Sequence, residues 1–191
     1  MTESQVIDTL QKKQAILKGH FELSSGRHSD TYIQCARIFT EPSLTIELAK
    51  ELVKPIAGGK IDAVVSPAVG GIILGFAVAY VLDKKMIFSE RVAGEMAFRR
   101  EFNISEGKKV LVVEDVITTG GTTGEVINLI KSYKGGVAGI LSLIDRGSEK
   151  QFEVPYHFLT RVQAKDYKQA ECPMCEAQVP LVSPGIRKIS S

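Results

Sequence analysis

Apolar residues follow two alternating rhythms along the middle of the chain. Residues 41–56, and the stretch carrying Val126, Ile127, Ile130 and Tyr133, repeat apolar positions every three or four residues. Residues 62–66, 86–89, 110–113, 137–144 and 155–160 are short, nearly continuous apolar runs. The first rhythm predicts amphipathic helices, and the second predicts strands buried on both faces. Within 41–56, Leu44, Leu48, Leu52, Val53 and Ile56 face the core, with Thr40 as N-cap and Pro42 in the first turn. Residues 72–82 are apolar almost all round, which predicts a largely buried helix. Strands alternating with helices predict an α/β fold with a mostly parallel central sheet and helices on both faces.

The N-terminal part has a different pattern. Residues 4–18 read as a helix with Val6, Ile7, Leu10 and Leu17 on one side and Gly19 as its C-cap. A turn at Ser24-Ser25-Gly26 and a strand over 31–36 follow. This predicts one domain over 1–191, with 1–40 contributing a small hood.

The candidate chemistry concentrates in residues 110–123, VLVVEDVITTGGTT. The apolar run ends in two acids, Glu114 and Asp115, which places them at the rim of a parallel sheet, where open α/β folds bind ligands. Val116 and Ile117 lead into a loop of Thr118, Thr119, Gly120, Gly121, Thr122 and Thr123, and a helix follows at once. Adjacent glycines admit close backbone approach, and hydroxyls with free amides at a helix start make an anion site. A phosphate in the loop, with hydroxyls or hydrated Mg2+ on the acids, describes a ribose phosphate. An apolar strand ending in an acid also suits a nucleotide hydrolase. The G-x-x-x-x-G-K-[ST] partner of that reading is absent, as is a dinucleotide-binding G-x-G-x-x-G.

Three further segments carry candidate residues. Ala68, Val69, Gly70 and Gly71 lie between a strand and a helix and form a second candidate anion loop, although close helix–strand packing also explains the glycines. Residues 90–109 are a long charged stretch with Arg91, Arg99, Arg100 and Lys108, where arginine suits bidentate phosphate binding and a salt-bridged hairpin is the plainer reading. Arg146 follows a strand's C-terminal end, where it either meets a ligand or pairs with Asp145 or Glu149.

Cys172-Pro-Met-Cys175 supplies two metal ligands where structural zinc takes four. Cys35 and His157 are further candidates without a spacing argument, so the motif reads as a knuckle-like turn with free thiols. His20, His28 and His157 form no recognisable catalytic triad and read as structural.

The chain's 191 residues and 44% hydrophobic content suffice for one well-packed domain. A formal net charge of +2 gives no argument for nucleic acid or a membrane surface. Neither a signal peptide nor a long apolar span is present, and three cysteines do not make a disulfide framework, so the expected location is the cytoplasm.

Residues 110–122 resemble the phosphoribosyl pyrophosphate (PRPP) motif of type I phosphoribosyltransferases. F-x-L-x-S-G-x-x-S-x-x-Y, through Phe21, Leu23, Ser25, Gly26, Ser29 and Tyr32, resembles the N-terminal stretch of orotate phosphoribosyltransferases. The likeness spans nearly the whole chain. It implies transfer of phosphoribose from PRPP to orotate with Mg2+, and no fused decarboxylase. It implies PRPP binding by Glu114, Asp115, Val116, Ile117, Thr118, Thr119, Gly120, Gly121, Thr122 and Arg91, with 68–71 as the pyrophosphate loop. Thr118, Arg146, Ser25 and Gly26 would meet orotate. Asp115, Glu114, Arg99 and Arg100 would serve catalysis, with no direct protein ligand to Mg2+ beyond water-mediated contact from Asp115. The likeness further implies a homodimer sharing the loop 90–109 between subunits. Two departures stand out: Ser24 replaces a lysine common in that family, and the loop carries arginines where relatives often have lysines and a histidine. A phosphoribosyltransferase for another base and a non-catalytic sensor built on the same fold are the alternatives.

Overall fold

The computed structural model describes residues 1–23, 25–147 and 151–184; Ser24 and Glu149 lie outside them. The chain opens with α1 (Glu3–Lys12), β1 (Ile16–Glu22), β2 (His28–Ile33), α2 (Ala36–Phe39) and α3 (Pro42–Val53). Then come β3 (Ala63–Pro67), α4 (Gly71–Leu82), β4 (Lys85–Val92), β5 (Glu95–Phe98), β6 (Lys109–Ile117) and α5 (Gly121–Ser132). β7 (Gly136–Asp145), β8 (Tyr156–Arg161), β9 (Asp166–Tyr167) and α6 (Pro173–Glu176) complete it.

Six strands form the main sheet in the order β5-β4-β3-β6-β7-β8. All neighbours are parallel except β4 and β5. Alternation along β6 divides the core. Val110 and Val112 pack with Val126 and Ile130 of α5. Leu111 and Val113 pack with Leu48 of α3 and with Leu74 and Val78 of α4. The crossovers β3-α4-β4 and β6-α5-β7 run in opposite directions along the sheet, so a topological switch point lies between β3 and β6. In such sheets the crevice beyond the carboxyl ends of the switch-point strands is where ligands bind.

The N-terminal helix is shorter than the sequence pattern predicts. A capping box starts α1: the Gln5 amide donates to Thr2 Oγ1 (3.3 Å) and the Thr2 amide to Gln5 Oε1 (2.8 Å). Gln14 then takes a left-handed φ of 54°, and the chain turns into β1. Leu17 and Gly19 therefore belong to a strand, where the helical period had placed them at a helix end. β1 pairs antiparallel with β2, and β9 adds to β2's other edge, so this small sheet is assembled from both ends of the chain. Phe21 also bridges to Val182.

Two other differences, and the outcome for the charged stretch, bear on function. The N-cap of α3 is Glu41, not Thr40, with Pro42 at the first helical position. Helix α4 is not largely buried: Ile73, Phe76 and Tyr80 are 48%, 64% and 69% exposed, one turn apart along a single bare face. The charged stretch after residue 90 is in good part an antiparallel hairpin, turning at Ala93-Gly94 with φ of 49° and 92°. Among the described residues, no helix is long and apolar enough to cross a membrane.

Candidate active site

The carboxyl ends of β3 and β6 bring two loops together. Glu114 and Asp115 come from the last turn of pleat in β6, and 68–71 follow β3. Only glycine fits there. A Cβ on Gly70 would stand 2.8 Å from both Asp115 carboxylate oxygens, and one on Gly71 would stand 2.9 Å from Glu114 Oε2 and 3.0 Å from the Val113 carbonyl. Ala68 is tied back to the sheet by its amide, which donates to the Ser89 carbonyl (2.7 Å). The Ala68–Val69 peptide bond is cis, and Val69 is exposed.

Glu114 is buried and Asp115 half-buried, with little to satisfy either. The Asp115 amide donates to Glu114 Oε2 at 3.2 Å, and the Val116 amide to Asp115 Oδ1 at 2.9 Å. Among the described residues neither carboxylate forms an ion pair with a basic side chain. Burial first, and then the Asp115 charge, push the Glu114 carboxyl up to about 9. Burial likewise raises Asp115. Buried carboxylates without a counter-ion are suited to hydroxyl donors and a hydrated divalent cation.

Immediately beyond, Val116 to Thr123 curl around a cavity of about 50 Å³, which Glu114 also lines. Helix α5 starts there on Gly120 in the left-handed conformation (φ 72°), and no side chain caps it. Thr118, Thr119 and Gly121 are exposed. The helix therefore offers its first-turn amides and threonine hydroxyls to an anion.

A larger cavity of about 670 Å³ adjoins this loop, lined by Leu23, Ser25, Thr118, Thr119, Arg146 and Asp166 among others. Three of the four positions expected to meet the base, Ser25, Thr118 and Arg146, converge here. The fourth, Gly26, shapes the turn instead: its φ is 73° and its amide donates to the Leu23 carbonyl (2.8 Å). The Arg146 amide donates to the Ile117 carbonyl (2.9 Å), which fixes the arginine beside the loop 116–123. Its Nε is buried with no hydrogen-bond partner among the described residues. Asp145 is engaged by Arg161 Nε (3.1 Å) and by the Gly147 amide (2.6 Å). Asp166 was not legible as a site residue; it lies far along the chain and arrives through the pairing of β9 with β2.

The arginines of the hairpin part company. Arg91 pairs with Glu125, in the first half of α5, which sets it beside the phosphate loop's helix. Arg100 pairs with Glu90 (3.0 Å) and lies over the Phe88 ring. Arg99 is exposed. The structure does not bring Arg99 or Arg100 into contact with the acid pair.

The cysteine pair finds partners other than Cys35 and His157. Cys35 is buried at the start of α2, its thiol pushed up by burial and by the neighbouring Asp115 and Glu114 charges. His157 lines a separate surface cleft with Lys60 and Lys109. Cys172 and Cys175 instead meet His20 and His28 of the small sheet.

Comparison with known proteins agrees with this geometry. Residues 40–170 match the Phosphoribosyl transferase domain family. The chain is 48% identical over 189 residues to a protein of Thermoanaerobacter sp. (strain X514) named orotate phosphoribosyltransferase, covering 98% of this chain and 100% of that one. It is 42% identical over 181 residues to the protein of that name from Thermotoga maritima, covering 94% and 97%. Among solved structures, orotate phosphoribosyltransferase from Aeropyrum pernix superposes with a TM-score of 0.70 at 27% identity, over 82% of this chain and 93% of that one. An adenine phosphoribosyltransferase from Rhodothermus marinus superposes with a TM-score of 0.65 at 22% identity, over 83% and 99%. That last match speaks for the fold alone, so the base must be argued from the site.

Proposed function

The chain belongs to the phosphoribosyl transferase family, and we propose that within it the protein is an orotate phosphoribosyltransferase of de novo pyrimidine synthesis. It transfers the 5-phosphoribosyl group of PRPP to orotate, giving orotidine 5′-monophosphate and pyrophosphate. The observation that carries the base assignment is Arg146: it lines the cavity next to the loop 116–123 and its guanidinium Nε has no hydrogen-bond partner among the described residues, and orotate has a carboxylate to offer that guanidinium.

The reaction needs no protein nucleophile. The bond from C1′ to pyrophosphate breaks with oxocarbenium character, and orotate N1 attacks the opposite face. The protein's contribution is position and charge. Residues 116–123 hold the 5′-phosphate, and Glu114 and Asp115 hold the ribose hydroxyls. Ser25 and Thr118 orient orotate with Arg146. Gly70 and Gly71 bring backbone amides of the second loop beside the acids, where pyrophosphate leaves. The Glu114–Asp115 pair would be the protein's anionic set for Mg2+ carried by PRPP, Asp115 through water, and the bound ion would supply positive charge to the leaving pyrophosphate. Arg91 serves the phosphates from beside α5, while Arg99 and Arg100 reach the site from the hairpin of a second copy. The protein works as a homodimer in the cytoplasm, and the bare Ile73–Phe76–Tyr80 face of α4 supports the pairing.

The test is kinetic. Arg146→Ala is expected to raise the orotate KM by about 10- to 100-fold, the worth of a charged hydrogen bond, and to leave the PRPP KM within twofold. An unchanged orotate KM would contradict the assignment.

A further inference from the structure

We propose that His20, His28, Cys172 and Cys175 form a tetrahedral zinc site that fastens the C-terminal segment to the hood. His20 and His28 come from β1 and β2, and the cysteines flank the start of α6. The four ligand atoms lie within 4.8 Å of one another. Cys172 Sγ is 3.5 Å and Cys175 Sγ 3.7 Å from His20 Nε2, and Cys175 Sγ is 3.2 Å from His28 Nδ1. With Zn–S near 2.3 Å and Zn–N near 2.0 Å, the edges of a zinc tetrahedron are about 3.3–3.8 Å. A small ring rotation must open the His20 Nε2 to His28 Nδ1 edge, now 2.8 Å, and the cluster's widest separation, up to 4.8 Å, must close as the ion draws the four ligands in.

Proton bookkeeping favours a metal over a hydrogen-bonded cluster. His20 Nδ1 lies 2.8 Å from the Val179 carbonyl, which can only accept, so that nitrogen carries the ring proton. Nε2 is then a bare lone pair aimed into the cluster. His28 Nδ1 and both sulfurs crowd upon it, and one lone pair cannot accept from all three. A cation resolves the conflict. Two thiols release their protons to solvent and bind as thiolates beside two neutral imidazoles, so Zn2+ leaves the buried site with no net charge. The contact from His20 to the Val179 carbonyl is then the outer hydrogen bond that orients a metal-bound imidazole. The C-x-x-C turn is already wound for chelation: the Cys175 amide donates to the Cys172 carbonyl at 3.0 Å. His20, His28 and Cys172 are buried (2%, 2% and 3% exposed), which excludes water as a competing ligand.

The site lies at the foot of the β1–β2 turn that presents Leu23 and Ser25 to the cavity. Zinc would therefore hold the hood over the base, a consequence that rests on the function proposed above. The metal itself does not depend on that reading.

Protein purified without chelator is expected to contain about one zinc per chain by elemental analysis. The Cys172→Ser/Cys175→Ser double variant should contain almost none. Cobalt exchanged into the wild-type protein should give the intense d–d and thiolate-to-cobalt bands of a tetrahedral sulfur site, a readout that needs no variant to fold. Removing the metal should raise the orotate KM several-fold with the PRPP KM unchanged. Metal-free purified protein that gives no such cobalt bands would overturn the proposal, as would unchanged zinc content in the double variant. Zinc found at full occupancy without catalysis would uphold the metal site and sink only the function.

Discussion

The acid pair shows at the scale of single residues how stability is spent on function. Glu114 has its carboxyl raised from 4.5 to about 9, chiefly by burial, and Asp115 is raised as well. The folded state therefore binds more protons than the unfolded chain between these values. The sign follows: the pair costs nothing below about pH 4.5, and its cost grows as pH rises through the window toward 9. Glu114→Gln removes the carboxyl that must take up a proton on folding in this window. At pH 8 the variant is expected to melt roughly 3–10 °C above the wild type, equivalent to about 1–3 kcal/mol, and the gap should close near pH 4. Scanning calorimetry of both proteins at the two pH values checks this, and an equal gap at both would contradict it. Asp115→Asn should likewise keep the fold while kcat/KM falls by at least about 100-fold, read from steady-state rates beside a circular dichroism melt.

The decisive event at the scale of elements is the meeting of two loops across the switch point. Gly70 and Gly71 lie so close to the acids of β6 that an added Cβ would crowd them. Gly70→Ala drives a Cβ against the movable Asp115 side chain, so activity should suffer before stability. Gly71→Ala meets the fixed Val113 carbonyl as well and should cost about 1–3 kcal/mol of stability. Urea titrations and PRPP kinetics of the two variants separate these effects. A Gly70→Ala protein with wild-type kcat/KM would show that the loops are not coupled. The strands, the helices and the glycine-threonine loop before α5 were legible because apolar runs and glycine-threonine clusters carry local physical signals. Residues 16–22 were misread because Leu17 happens to continue the helical period that Val6 and Leu10 begin. A hairpin at the Ser-Gly turn was expected, but that error hid how early its first strand begins, and with it the fact that His20 and His28 sit diagonally on one face. Asp166 and the C-x-x-C turn join the hood only through long-range pairing, which no spacing in the sequence announces.

The chain makes a site whose parts come from its whole length, from Ser25 to Asp166, around one sheet edge. The homodimer proposed above would extend this to two copies through the bare face of α4. Phe76→Glu should turn a dimer into a monomer in light scattering, and a wild-type protein already monomeric at micromolar concentration would exclude that face as a dimer interface. Fold likeness alone does not choose the base, since an adenine-specific relative superposes almost as well as an orotate-specific one. The most direct measurement is therefore turnover with PRPP and Mg2+, offering orotate, uracil, hypoxanthine and adenine in parallel. Consumption of orotate alone, with one pyrophosphate released per orotidine 5′-monophosphate, is the predicted result. Turnover of a purine in place of orotate, or PRPP binding with no base consumed, would contradict the account.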